Sequence, residues 1–564
     1  MLLVLLSWCY IFFTIFNLGV VLDKLTRLQN SDQIVFPFLG LFFVTLSASV
    51  WAIFGRINIE FQCFLLLFHL IIGVLFKADI ISSYVGLLHQ IKELSKSLKV
   101  FILLQGLILL WQSASNIYFT DNETYYIQTI KWLNEYGFVN GLANLHIFFG
   151  QTSGWHIAQS AFNFSFIYAN FNDLNGLCLF LFNVFAIMKL NAYFENKNKL
   201  ALCFGLLPLA NLLLFQFSGV PSPDLAAYLI GFLVFYYFLD SSQNLTAANF
   251  QLVFILSIFA VYVKITTLPL LILPVLLFIS NFKKLKKQIG LSLGLFVLVL
   301  GLLVVKNYIL TGYPLFPFSL LRDSFASKAT LPVELYDFWF NKAKLYDFAV
   351  SKSEFYDLSN VKIFLKWLIH SGVDSVFNAI LLLLVFVVPL FLKRFYNTAS
   401  YWIVYLLMIV QLVLLFLNSP QYRFILHFVI FFVMLILSCF LKNKKMIHSL
   451  LFFATIPILV LVFFPVFQVN ENSGIINRKT SFAIKNCIFP HSISSLATHY
   501  KKSQIGNLEF NSPDASTFIW ITGNGALPCL NAKQLRFFEN KYGFFPQQKN
   551  KSLKSGFYTK KTLP

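Results

Sequence analysis

Charge is scarce in this chain. Asp, Glu, Lys and Arg together make up 12% of 564 residues, about half their share in soluble globular proteins. So few ions cannot build an aqueous surface around 69 Phe residues in a sequence that is 58% hydrophobic, which excludes an ordinary soluble enzyme. Acid is scarcer than base, with 23 Asp and Glu against 43 Lys and Arg and a net charge of +20. The excess does not indicate nucleic acid, because the basic residues are scattered in short clusters between apolar runs. Such clusters orient helices in a bilayer and meet anionic headgroups. The seven Cys form no CxxC pair, and most sit inside apolar runs as small buried hydrophobes. P-loop, dinucleotide fingerprint, heptad seam and solenoid period are all missing, so no motif speaks for a nucleotide.

What is present is a succession of apolar runs of the length that crosses a membrane. They predict an all-α polytopic protein of about 14 transmembrane helices, over 1–22, 34–55, 60–76, 98–117, 174–192, 200–217, 224–239, 248–263, 266–281, 288–306, 375–391, 399–417, 424–441 and 446–467. The first run has no basic leader and no small-residue cleavage site, so it reads as a retained span. The basic connections are Lys24/Arg27, the Lys92–Lys99 stretch, Lys197/Lys199, FKKLKK from Phe282, LKRF from Leu392 and LKNKK from Leu441. Counting spans puts all six on one side, which the positive-inside rule makes cytoplasmic. The other side then receives loops 118–173 and 307–374, the turns SGVPSPD and NSPQYR, and a small mixed segment from 468 onward, expected to fold as a cap on the membrane part. The expected organisation is an accessory N-terminal part, 1–97, a core, 98–467, and the non-cytoplasmic C-terminal segment, 468–564.

Several polar residues fall at the non-cytoplasmic helix ends. Asp121 and Glu123 follow the fourth span, where a carboxylate keeps part of its hydration. They can end a helix, act as general base, or hold a divalent cation. Asp224 opens a span after Pro, a position that also suits plain capping. Lys264, Lys306 and Arg423 lie on that side against the usual bias, so each asks for a partner: an acid of this set, a lipid headgroup, or an anionic phosphate. His146, Trp155 and His156 occupy the first large loop. The two His lack a third ligand for structural zinc, and Trp155 suits either a sugar face or an interfacial anchor. A disulfide between Cys487 and Cys529 is permitted by an oxidising envelope, but the sequence does not require it.

The run DNETYYIQTIKWLNEYGFVNGLANLHIFFGQTSGWH, the SPD at Ser222–Asp224, KNYILTGYPLFP, SPQYRF at Ser419–Phe424 and ALPC resemble the polytopic integral-membrane glycosyltransferases of the C superfamily, in particular an uncharacterised bacterial subfamily. The resemblance runs from about residue 98 onward. It implies transfer of a sugar from a polyprenyl-phosphate donor to an envelope glycan or lipid acceptor on the outer face of a bacterial inner membrane. It also implies that Asp121 is the catalytic acid or base, with Asp224 as a second exterior acid and Arg423 near the carrier phosphate. The physical reading beside it puts Glu123 and Asp224 in acceptor or metal positioning, Lys306 with Arg423 on the phosphate, Lys264 among the substrate-binding residues, and His146, Trp155 and His156 along the sugar pocket. The family's DxD is replaced here by DNE, which leaves open a divalent cation, Mg or Mn, on Asp121 and Glu123. A transporter or flippase of lipid-linked saccharides, or a glycan polymerase or ligase, is the competing expectation.

Overall fold

The computed structural model describes residues 1–28, 32–116, 119–171, 173–242, 245–463, 468–471, 474–477, 484–496, 498–514 and 518–561. The protein is an all-α polytopic membrane protein with a small C-terminal β-containing segment. Among the described residues, nine helices are long and apolar enough to cross a bilayer, and ten if the bent pair Ile59–Leu75 and Lys77–Glu93 forms one span. The expected count of about 14 is therefore not reached by helices of spanning length. Four expected spans are shorter apolar helices or broken pairs, Lys199–Phe215, Ala247–Val263, Ile265–Ser280 and Leu426–Phe440. At 1.5 Å per residue a helix of about 15 residues covers only some 23 Å, less than the hydrocarbon core. Hydropathy alone counts such segments as full spans. The ends of the expected spans 98–117 and 446–467 lie outside the described residues.

Pro223–Ser241 is the innermost helix, with almost every residue buried. Its start explains the SPD triplet: Ser222 caps it by accepting from the Asp224 amide, Pro223 takes the first position where no N–H is needed, and Asp224 lies in the first turn. The opening helices Leu2–Thr26 and Phe36–Phe54 cross at a reciprocal glycine contact. A side chain at Gly19 would collide with the Phe36 carbonyl, and one at Gly40 with the Ile15 carbonyl. This pair is packed into the bundle, where Tyr262 donates to Ser49 (2.7 Å) and Trp8 to the Asp173 carbonyl (3.1 Å).

The two ends of the bundle differ. Several of the basic connections meet at one end, where Lys24 pairs with Asp79 (2.7 Å), Lys189 with Asp32 (2.6 Å), and Lys444 lies over the Phe194 ring (5.0 Å). The opposite end carries the loops and the C-terminal segment, whose hairpins include Tyr500–Ile505 with Leu508–Pro513 and Phe544–Gln548 with Phe557–Lys561. The helix Ala532–Tyr542 packs on the second hairpin. The segment folds down onto the first loop. The Phe557 amide donates to the Asn140 carbonyl (2.9 Å), Thr559 to Asn144 (2.7 Å), and Gln128 to the carbonyls of Gly523 (2.9 Å) and Gly525 (3.0 Å). All seven cysteines are free, and Cys529 is buried with its thiol directed at the Thr522 carbonyl.

Candidate functional site

Four charged side chains from four separate parts of the chain converge at the loop-bearing end. Arg423 stands in the short turn Tyr422–Phe424 that leads into Leu426–Phe440. Its Nη1 donates to Asp121 Oδ2 at 2.6 Å and lies 3.8 Å from Asp224 Oδ2. The other oxygen of Asp224 contacts the Lys264 ammonium, which also lies 4.3 Å from the centre of the Phe424 ring. Lys264 ends the helix Ala247–Val263, where the helix dipole favours a cation, and Asp224 occupies the first turn of its own helix, where it favours an anion. Asp224 is 1% exposed, whereas Asp121 and Arg423 are 24% and 28% exposed. A ligand therefore meets Asp121 and Arg423 before Asp224.

The turn SPQYR aims the guanidinium. Gln421 Oε1 accepts from Arg423 Nε (2.6 Å), and Gln421 Nε2 donates to both Asp347 oxygens (3.0 and 3.1 Å). Ser419 donates to the same carboxylate. Tyr228 holds the backbone by donating to the Arg423 carbonyl (2.5 Å), and the Tyr126 hydroxyl lies 3.4 Å from Asp121 Oδ2. Asp121 itself precedes a π-turn, Asn122–Tyr126, that runs into the helix Ile127–Tyr136. π-turns of this kind occur often at functional sites.

The π-turn also separates the two acids. Asp121 faces Arg423, while Glu123 faces the C-terminal segment and accepts from Ser494 Oγ (2.7 Å) and the Ser495 amide (2.8 Å). The Glu123 carbonyl accepts from the Thr522 (3.0 Å) and Gly523 (2.8 Å) amides. Burial pushes the Glu123 carboxyl up to about 7, with the Ser494 and Ser495 donors pulling the other way. In this arrangement Asp121 and Glu123 do not form a common pair of ligands. Among the described residues no group of three or more His, Cys, Asp or Glu stands close enough to hold a metal ion.

The remaining residues singled out in the sequence divide in two. His156 and Lys306 border the cluster. The His156 ring lies 4.8 Å from that of Tyr126, its Nδ1 accepts from the Ser153 amide (3.2 Å), and its buried Nε2 has no partner. Burial first, then Lys306 and Lys264, holds His156 down to about 3, so the ring is neutral. Lys306 donates to the Thr152 carbonyl (2.7 Å) and Asn307 Oδ1 (2.6 Å). Gly154 lets this loop approach Tyr262, two residues before Lys264, since a side chain there would strike the Tyr262 ring and carbonyl.

His146 and Trp155 are placed elsewhere. His146 Nε2 donates to the Trp520 carbonyl (3.1 Å) while Nδ1 accepts from the Phe148 amide (3.3 Å). Burial holds its imidazole down to about 4, so it works as a neutral clip for the C-terminal segment. Trp155 is 1% exposed, and its indole N–H donates to Asn175.

Sequence reasoning passed over Gln421, Asp347, Tyr126 and Tyr228. Gln421 and Tyr126 stand two and five residues from chosen ones, and that proximity was the available signal. It also passed over His427, one helical turn beyond Arg423, which is 1% exposed, stacks between Tyr228 and Phe235, and has no partner on either ring nitrogen.

A family model described as a domain of unknown function, DUF8201, matches residues 1–430, and the chain belongs to that family. The match includes all four charged residues of the cluster and stops short of the C-terminal segment. No curated protein and no solved structure matches the chain.

Proposed function

We propose that this DUF8201 chain is an integral-membrane glycosyltransferase that moves a sugar from a polyprenyl-phosphate donor to an envelope glycan or lipid acceptor. In this reading it resides in a bacterial inner membrane, with the active face and the C-terminal segment on the non-cytoplasmic side. The observation that carries the reading is the Asp121–Arg423–Asp224–Lys264 cluster at the mouth of an apolar bundle. With Lys306 beside it, the site holds three bases and two acids, an imbalance that suits one more anion.

The donor's lipid tail stays in the bilayer and its phosphate enters the cluster. Arg423 exchanges its bond to Asp121 for one to the phosphate, and Lys306 adds charge from the other side. Asp121, released from the guanidinium, takes the proton of the acceptor hydroxyl as that oxygen bonds to the anomeric carbon. The bond from that carbon to the phosphate oxygen breaks, and its electron pair leaves with the polyprenyl phosphate, stabilised by Arg423 and Lys264. Asp224 keeps Lys264 in place. The test is transfer from a defined polyprenyl-phosphate sugar by the purified chain in lipid. Full activity in Asp121→Asn would remove the assignment.

A transporter or flippase of lipid-linked saccharides is the second reading, and one feature favours it. His427 stands in the first turn of Leu426–Phe440, buried beside the charged cluster, with both nitrogens unpartnered. Ionisable groups buried in spanning segments mark ion and substrate pathways among other functions. Movement of a labelled donor across sealed vesicles without product formation would select this reading over transfer.

A further inference from the structure

The long loop at the site end of the bundle carries an apolar face with no protein on it among the described residues. In the helix Asn360–Leu368, Ile363 and Trp367 are buried against the bundle, while Val361, Leu365 and the following Ile369 are 68%, 48% and 74% exposed. A spacing of four residues puts these three on one stripe. Lys362 and Lys366 stand on the third side, Lys362 exposed and Lys366 paired with Glu354 (2.7 Å). Bulk water is a poor neighbour for such a row of aliphatic side chains, and patches of this kind mark interaction surfaces.

The position of the helix decides what covers it. The Trp367 ring lies 4.7 Å from that of Phe416, which immediately precedes the last residue of the spanning-length helix Ala399–Leu417. Asn378, in the second turn of the spanning-length helix Val373–Phe395, donates to the Trp367 carbonyl (2.8 Å). Asn360–Leu368 is therefore level with the mouths of two spans. Beyond the turn at Gly372, whose φ is +76°, Val373, Val376, Leu383 and Phe386 are exposed along the second of these spans. The uncovered stripe thus leads directly into a surface that lipid covers. A buried edge, an aliphatic edge and a lysine edge at this level describe a helix lying in the bilayer surface. Acyl chains take the aliphatic edge, and the lysine stems reach past it to the headgroups.

We infer that Asn360–Leu368 is an interfacial helix whose Val361, Leu365 and Ile369 are covered by acyl chains of the leaflet at the site end, and that this seat fixes the height of the Arg423 turn. The link is Trp367. Its indole N–H donates to the Pro420 carbonyl (2.8 Å), three residues before Arg423. The same residue holds one span through its backbone and packs on another through its ring. The leaflet thereby enters the geometry of the charged cluster, whether that cluster transfers a sugar or passes one across.

The experiment uses the full chain in phosphatidylcholine nanodiscs, with the photo-crosslinker p-benzoylphenylalanine in place of Leu365, of Leu383 within the span, or of Lys501 on the C-terminal segment. Leu365 is expected to give lipid adducts within twofold of the Leu383 yield and at least tenfold above that of Lys501. Adducts between two chains at Leu365, or a lipid yield no higher than at Lys501, overturn the seat. Hydrogen exchange tests the link to the turn, where the Phe424 and Ile425 amides donate to the carbonyls of Gln421 and Tyr422. Leu365→Glu is expected to speed exchange of these two amides at least tenfold and to leave that of Ala532–Tyr542 unchanged. Unchanged exchange at the turn overturns the link. Loss of protection throughout the chain would mean that Leu365 packs on protein, which overturns the seat as well.

Discussion

Two partly buried ionic networks sit at opposite ends of this bundle, and they are built to different rules. At the basic end, Asp32 accepts from Lys189 (2.6 Å) and from the Tyr237 hydroxyl (2.8 Å), and the ammonium rests 4.6 Å from the Tyr236 ring centre and 5.1 Å from that of Phe185. The Lys189 charge is shared among Asp32, nearby Asp240 and two aromatic faces, and the arrangement is closed. At the loop end, Arg423 is divided between Asp121 and Asp224, and the unpaired nitrogens of His156 and His427 lie nearby. The first network joins helices. The second is held ready for something not yet bound, since its partners can be exchanged without leaving a charge alone. Buried ion pairs contribute little net stability but cost much when halved, so the same mutation has different consequences at the two ends.

The sharpest break is at the open network. Arg423→Gln and Asp121→Asn are each expected to lower transfer by about 10²–10³-fold, or roughly 3–4 kcal/mol of barrier, while membrane insertion and thermal stability change little. Steady-state transfer assays beside a melting curve check both halves of the statement. At the closed network the order reverses. Lys189→Met leaves Asp32 without its cation and is expected to cost about 2–4 kcal/mol of stability, seen as a lowered Tm in detergent. Adding Asp32→Asn recovers most of that loss, and transfer per folded molecule stays near wild type in both variants. A Lys189→Met protein that melts normally but transfers nothing would erase the distinction between the two ends.

A smaller effect belongs to the joint between loop and C-terminal segment. Because the folded Glu123 carboxyl is raised to about 7, the native state keeps a proton that the unfolded chain has lost above the ordinary carboxylate range. Stability is then fully present at pH 4 and declines as pH rises from about 4.5 to about 7, by on the order of 2–3 kcal/mol. Limited proteolysis of the C-terminal segment should accelerate across that window, and Glu123→Gln should flatten the profile. The smallest effect concerns the clip at His146. His146→Gln keeps a donor for the Trp520 carbonyl and is expected to cost about 1 kcal/mol or less, measurable as a modest rise in the same cleavage rate.

Much of the site was legible because topology is arithmetic. An odd or even number of crossings decides on which side a residue emerges, and that put Asp121, Asp224, Lys264, Lys306 and Arg423 together although about 300 residues separate the outermost two. The structure brings four of these five into one cluster and sets Lys306 at its border. Direction was not legible in the same way. Two acids two positions apart in DNE look like one feature in a sequence, yet the π-turn sends Asp121 to the guanidinium and Glu123 to Ser494. His146 and Trp155 carry side chains suited to a sugar, but their hydrogen bonds go to Trp520 and Asn175, neither of which local sequence identifies. The number of spans was less legible. Runs such as Ala247–Val263 are apolar enough for lipid but form helices shorter than the nine of spanning length among the described residues.

The seat of Glu123 sets an order of events during synthesis. Its carboxylate is made 371 residues before Ser494, its closest donor in the C-terminal segment. At about 5–20 residues per second, the loop that carries Asp121 waits roughly 20–70 s, already outside its span, for the part of the chain that will cover it. The protein is therefore finished from its last hundred residues backwards. A ribosome that stalls late leaves a bundle with an uncovered acid, which a chaperone or protease on that side of the membrane can tell from the covered form.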